Sequence, residues 1–276
     1  MNATKEQFDR DGYLLQRGIF TSEEIEHFRE LVYRQFEVDA RKKLTFTLSN
    51  TGSQARYAKG DLLSKELLQD ILLDSRVLQL AKQVLGSENL IYFGDSSYQI
   101  GTGLRGFHRD SLDRTNLDGE DWKSPYTLVR LGIYLQSHRL HSGGLKVKPG
   151  THQKADGPSV FVDNDAGDVA IWSLMLLHSG NAVRLKGFPN VRIDSSSIEN
   201  RIPAFLKREE ERERISLFMT YAIESRHLDR YIDEYELKRN DTIEHLKSSH
   251  YAESALQKAK DKGVSVRVLF PEHQLA

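Results

Sequence analysis

No cysteine occurs anywhere in the 276 residues of this chain. That absence excludes disulfides, thiolate metal ligands and cysteine nucleophiles at once. A charge bias is missing as well, since 40 acidic residues stand against 39 basic ones. The molecule as a whole therefore has no electrostatic pull toward nucleic acid or an anionic membrane, and neither is expected as a partner. The first residues, from Met1 to Gln7, lack the apolar core of a signal peptide, and no run approaches membrane-spanning length. A cytoplasmic protein is the expectation. There is no internal repeat and no low-complexity tract, and the length suits one domain over residues 1–276 with a single large core.

What is present falls into three parts. The first, about 1–88, reads helical. Thr4 with Gln7 and Thr21 with Glu24 have capping-box spacing. After the second box, Ile25, Phe28, Leu31, Val32 and Phe36 recur at helix period and mark a buried stripe. Gly12 to Leu15 reads as a short strand, the polar stretch 46–61 as a loop, and 64–73 and 75–85 as helices, the latter stopped by Gly86. From Leu90 to about 222 the pattern becomes short strands at 90–99, 127–135, 144–148, 158–163, 168–172, 175–178 and 214–222. Such a series predicts a jelly-roll barrel, so the fold class is mainly β with flanking helices. The last part, about 225–276, predicts helices at 226–247 and 251–261 and an edge strand at 265–270. The mixed-charge run 207–214 reads as a solvated face.

Two stretches carry the chemistry. Gly106-Phe107-His108-Arg109-Asp110 follows a strand and precedes a polar loop at 111–125, which places it at a sheet rim. On extended backbone His108 and Asp110 share a face while Arg109 turns away. About seventy residues on, His178 is followed by the small residues Ser179, Gly180 and Asn181, which leave room beside a metal. Two imidazoles and a carboxylate are the set that holds non-haem ferrous iron by one face and leaves the other open. Gly101, Gly103 and Gly106 match the glycine spacing of a dinucleotide-binding turn, but no helical apolar stripe follows to offer its N-terminal amides. A 2-oxoglutarate co-substrate would need an arginine for its far carboxylate. Arg214 heads an apolar strand; Arg212 lies on the same side, and Arg184 is nearer His178 in sequence.

The chain resembles the phytanoyl-CoA dioxygenase family of iron(II)/2-oxoglutarate oxygenases. The likeness runs through Phe8 to Leu15, Phe20 to Ile25, Phe107 to Asp110, Gly143 to His152, Gly167-Asp168 and His178 to Asn181. The resemblance implies a double-stranded β-helix, iron on His108, Asp110 and His178, 2-oxoglutarate and O2 as co-substrates, and Arg214 as the co-substrate arginine when strands are aligned on Tyr221. It also implies an insertion at 183–211, which with the loop 111–125 is a candidate lid. Tyr98 and Gln99, ahead of the metal strand, are expected beside the co-substrate. Retention of Asp110 points to hydroxylation rather than halogenation; desaturation, epimerisation and ring closure are open to the same iron. Arg105, Arg130, Lys146 and Lys148, on or near barrel strands, suggest an anionic small-molecule substrate. The rival readings are a zinc hydrolase or isomerase on the same ligands and a barrel that only binds.

Overall fold

The structure, a computed structural model, describes residues 3–50, 53–103 and 106–275. Helix α1 (Ala3–Asp11) leads into strand β1 (Tyr13–Gln16), and α2 (Ser22–Arg41) follows. Thr21 caps α2 in the expected box. Its hydroxyl accepts from the Glu24 amide, and the Glu24 carboxylate accepts from the Thr21 amide. The expectation at Thr4 fails, because α1 already includes Ala3 and so holds Thr4 inside its first turn.

The stretch 46–61 is not a loop but a hairpin. Strand β2 (Thr45–Asn50) pairs antiparallel with β3 (Ser53–Ala58), Thr45 facing Ala58. Thr51 and Gly52 lie outside the described residues. Alternation is present in Phe46, Leu48, Ala55 and Tyr57, but polar residues on the solvated face mask it. Phe46 stacks on Tyr57 with ring centroids 5.5 Å apart. Of 64–73 only α3 (Gln69–Leu72) is helical. The Asp61 carboxylate takes the Leu63 and Ser64 amides and folds that segment into a turn instead. Helix α4 (Ser75–Leu85) ends on Gly86 in the left-handed region, φ 68°.

The strands that follow are β4 (Leu90–Tyr92), β5 (Ser96–Gly101), β6 (Leu128–Tyr134) and β7 (Gly144–Val147). Next come β8 (Val160–Val162), β9 (Val169–Ser173) and β10 (His178–Ala182). The expected strand at 175–178 is thus displaced: the Leu176 amide returns to the Ser173 carbonyl in a turn, and extended pairing starts at His178. After α5 (Ser196–Arg201) comes β11 (Ile215–Ala222). The charged run before β11 is tied down rather than only solvated, with Arg212 on Glu26 and Glu213 accepting from Tyr33 and Arg56. The helix expected over 226–247 is interrupted. Helix α6 (Arg226–Arg230) opens into a π-helical turn, Tyr231–Tyr235, then a tight 3-10 turn, Glu236–Lys238, before α7 (Asn240–Lys247). Helix α8 (Glu253–Asp261), β12 (Val264–Val266) and α9 (Pro271–Gln274) close the fold, and β12 is an edge strand beside β4.

The larger sheet runs β1-β9-β6-β11-β5-β3-β2, with β4 paired to β11 and to β12; the smaller runs β10-β7-β8. Pairing is antiparallel apart from β12 on β4, and the sheets do not close into a continuous ring. This is a mainly β fold with flanking helices, the double-stranded β-helix the sequence predicts. Strand parity divides its two faces. Val129, Leu131, Ile133, Leu217 and Met219 turn toward the helices and pack with residues such as Val32 and Val77. The alternate residues Tyr134, Trp172 and Phe218 turn inward and meet Leu145 and Val147 of the smaller sheet. Gly132 sits on the inward face, where an added Cβ would come within 3.0 Å of the Trp172 ring. The space between the sheets is therefore aromatic-walled and open at one end.

Candidate metal centre

Peptide geometry brings the two histidines together. His108 pairs with the first residue of β10, His178, so that each amide donates to the other's carbonyl at 3.0 Å. Their rings lie side by side, centroids 4.3 Å apart. Two positions on, Asp110 returns to the same side and its amide donates to the Leu174 carbonyl at 2.9 Å. Arg109 turns away as alternation requires, donating to the Met175 and Thr151 carbonyls. One ligand atom each from His108, Asp110 and His178 lies within 4.8 Å of the other two, the one such group among the described residues.

Hydrogen bonds set the tautomers. Nδ1 of His108 donates to the Gly106 carbonyl at 3.0 Å and Nδ1 of His178 to the Leu176 carbonyl at 3.1 Å. A carbonyl only accepts, so both Nε2 lone pairs are free to face a metal. Burial lowers the His178 imidazole to about 4, against the pull of Asp110. Burial would raise the Asp110 carboxyl, but Arg130 and the two histidines outweigh it and bring it down to about 2. At neutral pH the buried pair is thus a neutral imidazole and a carboxylate, the protonation a divalent metal needs.

Arg130 on β6 fixes the carboxylate. Its Nη1 donates to Asp110 Oδ2 at 2.6 Å, its Nη2 to Asp95 Oδ2 at 2.6 Å, and its Nε to Thr220 Oγ1 at 3.1 Å. It lines the barrel as expected, yet its charge is already met by two acids.

Between the sheets a cavity of about 310 Å³ touches both histidines, Gln99, Tyr134, Asn181 and Arg214. Arg214 is 2 % exposed and donates only to the Gly143 and Gly101 carbonyls among backbone acceptors. No carboxylate among the described residues lies within ion-pair distance of it, which is costly for a buried guanidinium. Arg212 is elsewhere, on the outer side with Glu26 and the Leu135 carbonyl. Arg184 pairs with Asp163 and covers the Phe161 ring, away from this cavity.

Tyr98 does not meet its expectation. Parity puts adjacent residues on opposite faces, so with Gln99 inward Tyr98 lies behind the sheet, its hydroxyl donating to Asp39 at 2.8 Å. The basic lining also dissolves. Lys146 is fully buried against Glu199 at 2.7 Å, and Lys148 meets Asp156 at 2.7 Å. Arg105 lies outside the described residues. After the glycine-spaced stretch 101–106 no helix begins; the chain goes straight to the His108 bridge. Sequence reasoning missed Tyr134, whose signal is its position two and four residues from Gly132 and Arg130 on one strand face. It also missed Asp95 and Glu236, which stand next to no motif.

Residues 8–187 match the family model described as phytanoyl-CoA dioxygenase (PhyH), and the chain belongs to that family. An ectoine dioxygenase of Nocardia farcinica is 29 % identical over 150 residues, covering 53 % of this chain and 49 % of its own. The chain thus spans about half the length of the curated relatives it matches. Among solved structures, the epimerase SnoN with Fe3+, alpha-ketoglutarate and nogalamycin RO is 15 % identical at TM-score 0.56, covering 79 % of this chain and 82 % of that one. HygX from Streptomyces hygroscopicus with nickel and 2-oxoglutarate is 16 % identical at TM-score 0.56, covering 80 % and 87 %. These two likenesses concern the fold. No described helix is long and apolar enough to cross a membrane.

Proposed function

We propose that the chain is an iron(II)/2-oxoglutarate-dependent dioxygenase that hydroxylates a C–H bond of a small molecule. In the balanced reaction one atom of O2 enters the product alcohol and the other enters succinate, with CO2 released. Iron(II) fits the donors present, two neutral imidazoles and a carboxylate, which His108, Asp110 and His178 would supply. When bound with 2-oxoglutarate it supplies the oxidising chemistry; the chain supplies placement and exclusion of water. Arg214 would pair with the distal carboxylate of 2-oxoglutarate, beside Tyr134 and Gln99. Trp172 and Phe218 keep that space dry, and Arg130 holds Asp110 ionised and in register. The nickel- and 2-oxoglutarate-bound neighbour and the ectoine dioxygenases support the reading.

The observation that carries it is a buried arginine without an acid, facing the same cavity as two metal-ready histidines. Anaerobic addition of iron(II) and 2-oxoglutarate should give a coloured complex, and admitting O2 should release succinate. Asp110→Ala should abolish both. Full succinate release by that variant would refute the assignment.

A further inference from the structure

A second cavity, about 650 Å³, also reaches the candidate metal centre: His108, Asp110 and Arg130 line it, and Arg214 does not. Its volume suits a small organic ligand. Five carboxylates border it, Asp95, Asp110, Glu236, Asp241 and Glu244, against three cations, Lys59, Arg130 and Arg239, and two imidazoles, His108 and His245. Each cation is already matched. Arg130 bridges Asp95 and Asp110, Lys59 meets Glu244 at 2.6 Å, and Arg239 meets Asp241 at 2.8 Å. Glu236 differs from the other four: it is 5 % exposed, and no basic group among the described residues lies within ion-pair distance of its carboxyl. A buried acid in a cavity wall without a cation keeps its proton until a cation arrives to take its place.

The walls agree with the charge. Two stacked ring pairs line the cavity, Phe46 on Tyr57 at 5.5 Å and Tyr231 on Tyr235 at 5.0 Å. Aromatic faces attract cations, most strongly where water is excluded. The π-helical turn that interrupts the expected helix carries the second pair, and Glu236 follows directly on it. Such turns widen a helix where a side chain must be redirected into a site.

From this geometry we infer that the substrate carries a protonated amine or amidinium, which Glu236 receives as counter-ion between the two aromatic pairs while the body of the molecule reaches toward His108 and Asp110. The inference rests on the oxygenase reading only for the identity of the reacting centre. It replaces the anionic substrate suggested by the lysines, which the fold ties to Glu199 and Asp156. Burial and Asp95 push the Glu236 carboxyl up to about 8, with Arg130, Arg239 and the Tyr231 hydroxyl opposing. An arriving cation would therefore displace its proton.

The test is calorimetric titration of the nickel- and 2-oxoglutarate-loaded protein with three probes of one shape: cyclohexylammonium, cyclohexanol and cyclohexanecarboxylate. Cyclohexylammonium should bind at least about tenfold tighter than either other probe. Its affinity should rise between about pH 6.5 and about pH 8.5 as Glu236 ionises. Glu236→Gln, which keeps the shape, should remove both the preference and the pH dependence. Equal or tighter binding of the alcohol or the carboxylate to the wild-type protein would overturn the inference without any variant, as would a preference that survives in Glu236→Gln. Failure to load nickel and 2-oxoglutarate would count against the oxygenase instead, and the same titrations on the metal-free protein would still decide the cation.

Discussion

Arg214 and Glu236 are each buried in a cavity wall without an oppositely charged partner among the described residues, Arg214 as a cation and Glu236 as an acid that keeps its proton at neutral pH. Arg214→Gln should leave the fold intact and raise KM for 2-oxoglutarate by roughly tenfold to a hundredfold, the worth of a charge-assisted bond. Unchanged KM in steady-state succinate assays would remove Arg214 from that role. Arg130 acts through Asp110 and not on a reactant. Arg130→Gln should weaken iron(II) affinity by about ten- to a hundredfold, as loss of a second contact to a ligand does elsewhere. A metal titration of the 2-oxoglutarate complex checks this, and undiminished affinity would contradict it. That His108 and Asp110 share one face was legible in the sequence, because short spacing and strand parity act locally; the structure brings His178 to that face. Glu236 was not legible, because nothing local marks an acid whose meaning lies in the absence of a neighbour.

Strands were the most readable elements, since each needs only a few alternating residues between turns. The β2–β3 hairpin escaped because its outer face is polar, and strand parity excludes the expectation that both Tyr98 and Gln99 meet the co-substrate, since one inward residue turns the other outward. The stretch 183–211, read from the sequence as an insertion, is anchored from within: Glu199 of α5 meets Lys146 of β7 at 2.7 Å with both side chains at most 1 % exposed, and the Glu199 carboxylate also accepts from the Val183 amide. Removing one partner of such a pair strands the other, at a cost of about 3–5 kcal/mol. Lys146→Met should therefore lower the unfolding midpoint in denaturant, and Lys146→Met with Glu199→Leu should recover much of the loss. A single variant as stable as the wild type would mean that the stretch 183–211 is not held this way.

For the molecule as a whole, pH is the sharper probe. His138, 1 % exposed, donates from Nδ1 to Asn164 at 2.9 Å, and burial lowers it to about 3. In the unfolded chain it would take a proton below about 6.5. Between those values the unfolded state binds the extra proton, so stability is complete above about pH 6.5 and falls as pH drops toward 3, by at most about 1.4 kcal/mol per pH unit from this group. Melting curves at about pH 7.5 and 5 should show a smaller loss in His138→Gln than in the wild type; equal losses would assign the acid sensitivity to other groups.

One more consequence follows from the amide exchange between His108 and His178. The bite of the two imidazoles is set by a ruler made of main chain, common to any antiparallel pair, and not by the packing of particular neighbours. Side chains around the cavities other than Arg130, which holds Asp110, can therefore be traded for new substrates without moving the two imidazoles, and the centre should tolerate redesign best where it looks most crowded.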